Sequence, residues 1–203
     1  DRVQRCIRAE EKGEAGSELP PFIFCINITI PGKTAYHLVT YYAVDDMSLI
    51  DDSGGDEGAR AFNKLAQSFF FGDSDEYRDS TFKLIPRIVK GTYVVKRAVG
   101  SKPTILGKKV KQIYIRDKNV SEKTGKPRFL ELIVDVGSDP IARKVVKLSA
   151  GYAKTLVVDM AFVLEGKSKS ALPENVMGTV RLTNIDFKTD LRVVEQPESL
   201  ATS

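Results

Sequence analysis

Residues Thr81–Gly107 read TFKLIPRIVKGTYVVKRAVGSKPTILG, and glycines divide this stretch into two β-forming runs. Strands are expected over 81–88 and 91–99, separated by Lys90-Gly91 and closed by the turn residues Gly100 to Pro103. Further strands follow at 110–117 and 128–136, with Gly125-Lys126-Pro127 turning the chain between them. Upstream, Phe22, Phe24, Ile26, Ile28 and Ile30 alternate with Ile23, Cys25, Asn27 and Thr29, and Pro31-Gly32-Lys33 leads into a returning strand over 34–44. Both faces of this hairpin carry apolar residues, which implies cover on two sides: a core hairpin or the wall of a cavity. Downstream, strands are expected at 154–165 and 177–187, with a short turn or helix at 171–176.

Two helices interrupt the strands. The first spans 57–71, with Ala61, Phe62, Leu65, Ala66, Phe69 and Phe70 on one face, Asp56 as its cap and Gly72-Asp73 as its stop. The second spans 139–151, where Asp139 caps, Pro140 takes the first position and Gly151 ends the helix. The order ββα, four strands, α, ββ defines an α+β fold, expected as a curved antiparallel sheet packed against two main helices. Such a helix-grip-like arrangement can enclose an apolar cavity. The small inner-face residues Ala142, Val145, Val146 and Ser149 would line it, because small side chains either bring helix and sheet together or leave room. The organisation expected is a charged, flexible N-terminal tail over 1–21, one domain over 22–190 and a C-terminal tail over 191–203.

Charge is distributed unevenly. Residues 45–79 hold ten acids against three bases, whereas 81–128 hold fourteen bases against Asp117 and Glu122. A basic surface of that kind concentrates anionic partners: lipid headgroups, acidic protein or nucleic acid. The alternative is a solvated basic face that balances the acidic segment across the fold. Lys83, Arg97, Lys102, Lys108, Lys109 and Lys111 are the candidate headgroup-binding residues, the last three beside apolar Ile105 and Leu106. No RNA-recognition signature, helix-turn-helix or zinc-finger pattern accompanies these charges, so nucleic acid is not the expected partner.

Catalytic and metal chemistry have little to stand on. His37 is the only histidine, and it shares a strand face with Ala35, Val39, Tyr41 and Ala43, where a core histidine is expected. The acids Asp45, Asp46, Asp51, Asp52 and Asp56 lack the ligand spacing of a calcium loop and read as a solvated turn. Asp159 alternates with Val157, Ala161 and Val163, so it is expected to be buried and paired, with Arg97 or Arg181 as partner. Asp135 alternates similarly with Ile133. Structural pairing is expected for these carboxylates rather than acid–base work; no catalytic residue, metal or cofactor is assigned. Cys6 and Cys25 are too few for a disulfide framework, which favours a reducing compartment. No run approaches a membrane-spanning length, so any membrane contact is expected to be peripheral and cytosolic.

Several blocks resemble one family. Phe82-Lys83-Leu84-Ile85-Pro86, Gly100-Ser101-Lys102-Pro103, Val157-Val158-Asp159-Met160-Ala161-Phe162, Leu172-Pro173-Glu174 and Gly178-Thr179-Val180-Arg181 are similar to the C-terminal domain of the plant enhanced-disease-resistance-two proteins. The resemblance covers roughly 22–187, with no counterpart recognised before Phe22, and Tyr93 stands where the family often has Trp. That domain usually follows a pleckstrin-homology and a lipid-binding START domain. The resemblance therefore implies lipid-associated company, and a negative role in defence and cell death, without an agreed activity. Residues and resemblance together point to a non-enzymatic lipid-associated module, binding an apolar or amphipathic ligand, anionic phospholipid membrane through the basic face, or both. The alternative is a regulatory module using that face for an acidic protein partner.

Overall fold

Alternation in the first hairpin puts Phe22, Phe24 and Ile26 of strand β1 (Phe22–Ile30) on a buried face. Strand β2 (Tyr36–Val44) pairs with β1 antiparallel. The computed structural model describes residues 2–14, 19–32, 34–52, 57–117 and 120–193. The strands that follow are β3 (Phe82–Lys90), β4 (Thr104–Ile105), β5 (Lys111–Arg116), β6 (Phe129–Asp135), β7 (Val157–Leu164) and β8 (Val176–Thr183). The helices are α1 (Arg2–Glu11), α2 (Glu57–Phe71), α3 (Asp75–Asp79), α4 (Tyr93–Val99) and α5 (Pro140–Gly151). The α+β class is as expected, but the strands form two four-stranded sheets, ordered β2-β1-β6-β5 and β4-β3-β7-β8. Nor is the pairing wholly antiparallel, because β1 and β6 run parallel from Ile23–Phe129 to Thr29–Asp135.

Aromatic side chains explain why the strands divide. Phe24 of the first sheet meets Phe82 of the second at 6.1 Å, and Phe69 of α2 reaches both, at 5.8 and 5.7 Å. Phe82 stacks on Phe162 at 5.7 Å, and Tyr42 of β2 touches Phe162 at 6.2 Å. Each such pair adds about 0.5–1.5 kcal/mol beyond its area burial. The apolar faces of β1 and β3 thus bury one another and the C-terminal turn of α2. A single sheet could not satisfy both.

Two departures from expectation are local. The segment read as a flexible tail is helical over Arg2–Glu11, because Val3 and Ile7, one turn apart, pack on Phe129, Leu19 and Ile23. Glu10 accepts from the Leu19 amide at 2.7 Å and pairs with Arg128, tying α1 to the start of β6. The expected strand over 91–99 is α4. Its valines favour strands, but the Thr92 hydroxyl accepts from the Val95 amide at 3.4 Å, and Gly100 closes the helix at φ +68°. The expected Asp56 cap of α2, and the C-terminal tail from 194 onward, lie outside the described residues. At α5 the expected cap is present, with the Asp139 carboxylate accepting from the Ala142 amide at 2.7 Å.

Arg78 on α3 closes the end of α2. It has 0% exposure, and it donates through Nε to the Phe69 carbonyl at 2.7 Å, through Nη2 to the Gly72 carbonyl and through Nη1 to Asp75 at 2.8 Å. Its guanidinium lies 5.4 Å from the Tyr114 ring centroid, and Tyr114 donates its hydroxyl to Asp79 at 2.9 Å. Burial pulls the Arg78 pKa below the usual guanidinium value, with Arg116 adding to the effect.

Gly178 of β8 lies close against Tyr42 of the opposite sheet. A Cβ there would stand 2.4 Å from Tyr42 Cε1, inside a ring already held against Phe162. Gly178→Ala is therefore expected to destabilise the fold by about 1–3 kcal/mol, the usual cost of overpacking. A urea-unfolding midpoint equal to that of the unsubstituted chain would show that Tyr42 yields freely.

Candidate functional site: a basic rim around a buried ion triad

Lys83 sits in β3, registered between Ile105 of β4 and Val163 of β7. Only 11% of its side chain is exposed, and Nζ bonds both Glu174 oxygens, at 2.6 and 2.7 Å, and the Glu165 carboxylate. Glu174 Oε1 also accepts from the Gly166 amide at 3.0 Å. Burial opposes charge on Lys83, but hydrogen bonds to Glu165 and Glu174 outweigh it and hold the ammonium above its ordinary value. Burial likewise opposes charge on Glu174, and Lys83 with the Gly166 amide brings its pKa below the usual 4.5. Lys83, read from sequence as a headgroup ligand, is thus the centre of an internal ion triad.

Above this triad lies an open recess of about 410 Å³, lined by Lys83, Pro103, Thr104, Ile105, Lys108, Lys109 and Glu165. The turn carrying the two lysines is pinned from below. Leu106 is buried, and Gly107 lies so close to Asp79 that a Cβ would stand 2.5 Å from its Cα. Lys108 and Lys109 project outward from that turn, exposed. The expectation that Leu106 offers apolar surface beside them does not hold; its side chain faces the core. Lys102 is exposed next to the lining residue Pro103, Arg97 is exposed on α4, and Lys111 is exposed at the start of β5. The structure therefore gathers Lys83, Lys108 and Lys109 and places Arg97 and Lys111 elsewhere on the surface. Among the described residues, no ion pair engages Lys96, Arg97, Lys102, Lys108, Lys109 or Lys111.

The residues expected to line a cavity are placed differently. Ala142 and Val146 pack against the aromatic core, and the Ser149 hydroxyl is turned back onto the Val145 carbonyl at 2.9 Å. A second open recess, about 360 Å³, lies beyond α5 between Ala150–Thr155 and Ile185–Lys188 and includes none of these four. Through Ala142 and Val146, helix and core are brought together.

His37 is exposed rather than buried, because the β2 face that it shares with Val39 and Tyr41 points to solvent. Its Nδ1 lies 2.9 Å from Asn27 Oδ1, and Asn27 donates to Glu131 at 2.9 Å. Glu131, buried within the apolar strand β6, was not singled out from the sequence; its only signal was an acid between the leucines of FLELIVD. Burial, aided by the Glu131 charge, pushes the Cys25 thiol up to about 12, so it is protonated near neutrality. Asp159 does pair with Arg181, at 2.5 and 2.7 Å, but at the surface: the side chains keep 31% and 60% exposure. The pairing with Arg181 lowers the Asp159 pKa. In the acidic loop, Asp46 accepts from the Ser48 amide at 2.9 Å and Asp51 pairs with Lys126 at 2.8 Å. No group of three or more potential metal ligands occurs among the described residues, and no helix there is long and apolar enough to cross a membrane.

Fold and site together define an α+β domain of two packed sheets in which Lys83 and Asp159 are held in ion pairs while Lys108 and Lys109 stay exposed. The chain belongs to the family described as "Protein ENHANCED DISEASE RESISTANCE 2, C-terminal", whose family model matches residues 1–186. It is 35% identical over 176 residues to "Protein ENHANCED DISEASE RESISTANCE 2-like" of Arabidopsis thaliana, covering 87% of this chain and 21% of that protein. The chain thus spans about a fifth of that relative's length. The matched span takes in α1, upstream of where the resemblance was recognised in sequence. No solved structure is significantly similar.

Two substitutions separate the internal triad from the surface pair. Lys83→Ala leaves two carboxylates facing each other and is expected to cost about 3 kcal/mol, the lower end for a broken buried pair because Glu165 and Glu174 retain some solvent. The depressed Glu174 pKa gives stability that is complete above pH 4.5 and lost as pH falls through the lowered value. The raised Lys83 pKa gives stability complete below pH 10.5 and lost as pH rises through the raised value. The deficit of Lys83→Ala in urea unfolding should consequently shrink between about pH 7 and about pH 3. Asp159→Ala, by contrast, should leave the unfolding midpoint nearly unchanged.

Proposed function

We propose that this chain is a non-enzymatic, lipid-associated module that meets anionic membrane through its basic rim. One observation carries the reading: from Ser80 to Arg116 the sequence has ten bases and no acid, and eight of those bases, Arg87 and Lys90 among them, are exposed without an ion-pair partner among the described residues. A merely solvated face would be balanced by the acidic segment across the fold. Instead Asp51 pairs with Lys126, Asp75 with Arg78, and Asp73 with Arg116 at the edge of the run. That leaves an uncompensated positive field, to which each Lys or Arg near an anionic surface contributes about 1 kcal/mol. The ligand in this reading is the membrane lipid itself, since Ala142 and Val146 are occupied by core packing. The non-enzymatic part is supported by the commitment of His37 to Asn27, Lys83 to two glutamates and Asp159 to Arg181. The proposed setting is the cytosolic leaflet, where anionic lipids face a reducing compartment suited to the free Cys6 and Cys25.

Co-sedimentation with vesicles tests this. Phosphatidylcholine vesicles containing phosphatidylserine or a phosphoinositide should pellet the chain at low salt and release it near about 0.5 M, where the screening length falls to a few ångströms. Lys108→Glu with Lys109→Glu should weaken pelleting. Equal binding to pure phosphatidylcholine would overturn the electrostatic reading. Retention by polyglutamate without binding to any vesicle would assign the rim to an acidic protein partner.

A further inference from the structure

Away from the lysine turn beside Lys83, one basic element pairs its charge with exposed apolar surface. In α4, Val95 is fully buried at 0% exposure, whereas Tyr93 and Val94 are 73% and 56% exposed. Helical spacing sets Tyr93 and Arg97 one above the other on the outermost stripe, flanked by Val94 and Lys96. The side chain of Lys90, three residues before Tyr93, is also exposed, as is Val89. Helix α5 packs beside α4 and exposes Ile141 at 73%, with Lys144 exposed one turn further on. Apolar tips ringed by bases distinguish this surface from the lysine turn at 106–109, whose Leu106 is buried.

The support beneath α4 is firm. Thr92 caps its first turn and Gly100 ends it. Gly91 fits so closely that a Cβ would stand 2.7 Å from Leu156 Cδ1 and 2.9 Å from Ile88 Cγ2. Val95 fixes the rotation of the helix, so Tyr93 and Val94 are held outward on a fixed base rather than on a loop free to fold them away. Isolated exposed apolar residues need no explanation. An aromatic and a valine adjacent in sequence, held outward and ringed by cations, match the composition of a helix lying in a lipid headgroup layer. Tyrosine in particular suits that depth, with an apolar ring and a hydroxyl that reaches water.

We propose that α4 is the membrane-inserting element: Tyr93 and Val94 enter the interfacial layer of an anionic bilayer while Lys90, Lys96 and Arg97 bind the headgroups around them. The proposal rests on the membrane reading above and adds which element enters and how. Charge complementarity selects the occupant, because no acid lies anywhere between Ser80 and Arg116 to favour a basic or neutral partner.

The chain has no Trp, so Tyr93→Trp gives a fluorescence signal from this site alone. With phosphatidylcholine–phosphatidylserine vesicles its emission should shift to the blue and be quenched by brominated acyl chains. Val94→Asp should lower vesicle affinity by about tenfold or more, the fold-change corresponding to one buried side chain of that size. Val94→Ser, milder, should lie between, and circular dichroism should show both folded, since the position faces solvent. If the chain pellets with vesicles but Tyr93→Trp emission does not move, or Val94→Asp and Val94→Ser bind as tightly as the unsubstituted chain, insertion by α4 is overturned while the electrostatic reading stands. If no anionic vesicle pellets the chain, both fall. A blue shift produced equally by polyglutamate would overturn the lipid assignment and mark a surface for acidic polypeptide.

Discussion

The buried guanidinium of Arg78 is the constraint on which the core depends. The last carbonyls of any helix lack intrahelical donors, and α2 ends beside the buried rings of Phe69 and Phe70. Arg78 donates to two of the carbonyls there, at Phe69 and Gly72, and to Asp75 of its own helix. Phe69 is the residue that joins the sheets, touching Phe24 on one side and Phe82 on the other. Losing the arginine would free the end of α2 and with it the element between the sheets. Lysine, with a single point of charge, could not serve the three acceptors in one plane.

The family-like blocks acquire a physical meaning from the pairs that join them. Lys83 in the first block holds Glu174 in the fourth, and Asp159 in the third holds Arg181 in the fifth. Gly178, also in the fifth, makes room for Tyr42 of the opposite sheet. Gly100 in the second terminates α4. What looks in sequence like a string of family-like motifs is largely a description of how the second sheet is fastened. The exposed bases Lys108 and Lys109 lie outside those fastenings.

Much of this was legible in the chain because alternation and caps are local signals. The β1–β2 hairpin, the inner face of α2 and the Asp139 cap of α5 follow from residues within a turn or two of each other. Periodicity also gave the two-sided cover of β1, but not what supplies it. One face meets Phe69 and Phe82; the Ile23 side meets α1, whose two apolar residues are lost among charges in RVQRCIRAEE. The strand reading of α4 failed because Val94, Val95 and Val99 outweighed two short-range signals, Thr92 and Gly100. Asp159 and His37 were placed on the correct strand faces, yet alternation does not say which face looks inward. Of the site, the basic segment was visible as composition; that Lys83 belongs inside and Tyr93 outside depends on pairings far apart in sequence.

The parallel pairing of β1 with β6 sets a schedule for making the protein. Asn27 and Glu131, hydrogen-bonded across that seam, are 104 residues apart. Ribosomes add about 5–20 residues per second, so one edge of β1 leaves the ribosome about 5–20 s before its partner exists. During that interval the hairpin presents Phe22, Phe24 and Ile26 with neither β6 nor the opposite sheet to cover them. The edge of the hairpin thus waits for β6, and its apolar face waits longer still, for β7 and β8 to complete the opposite sheet.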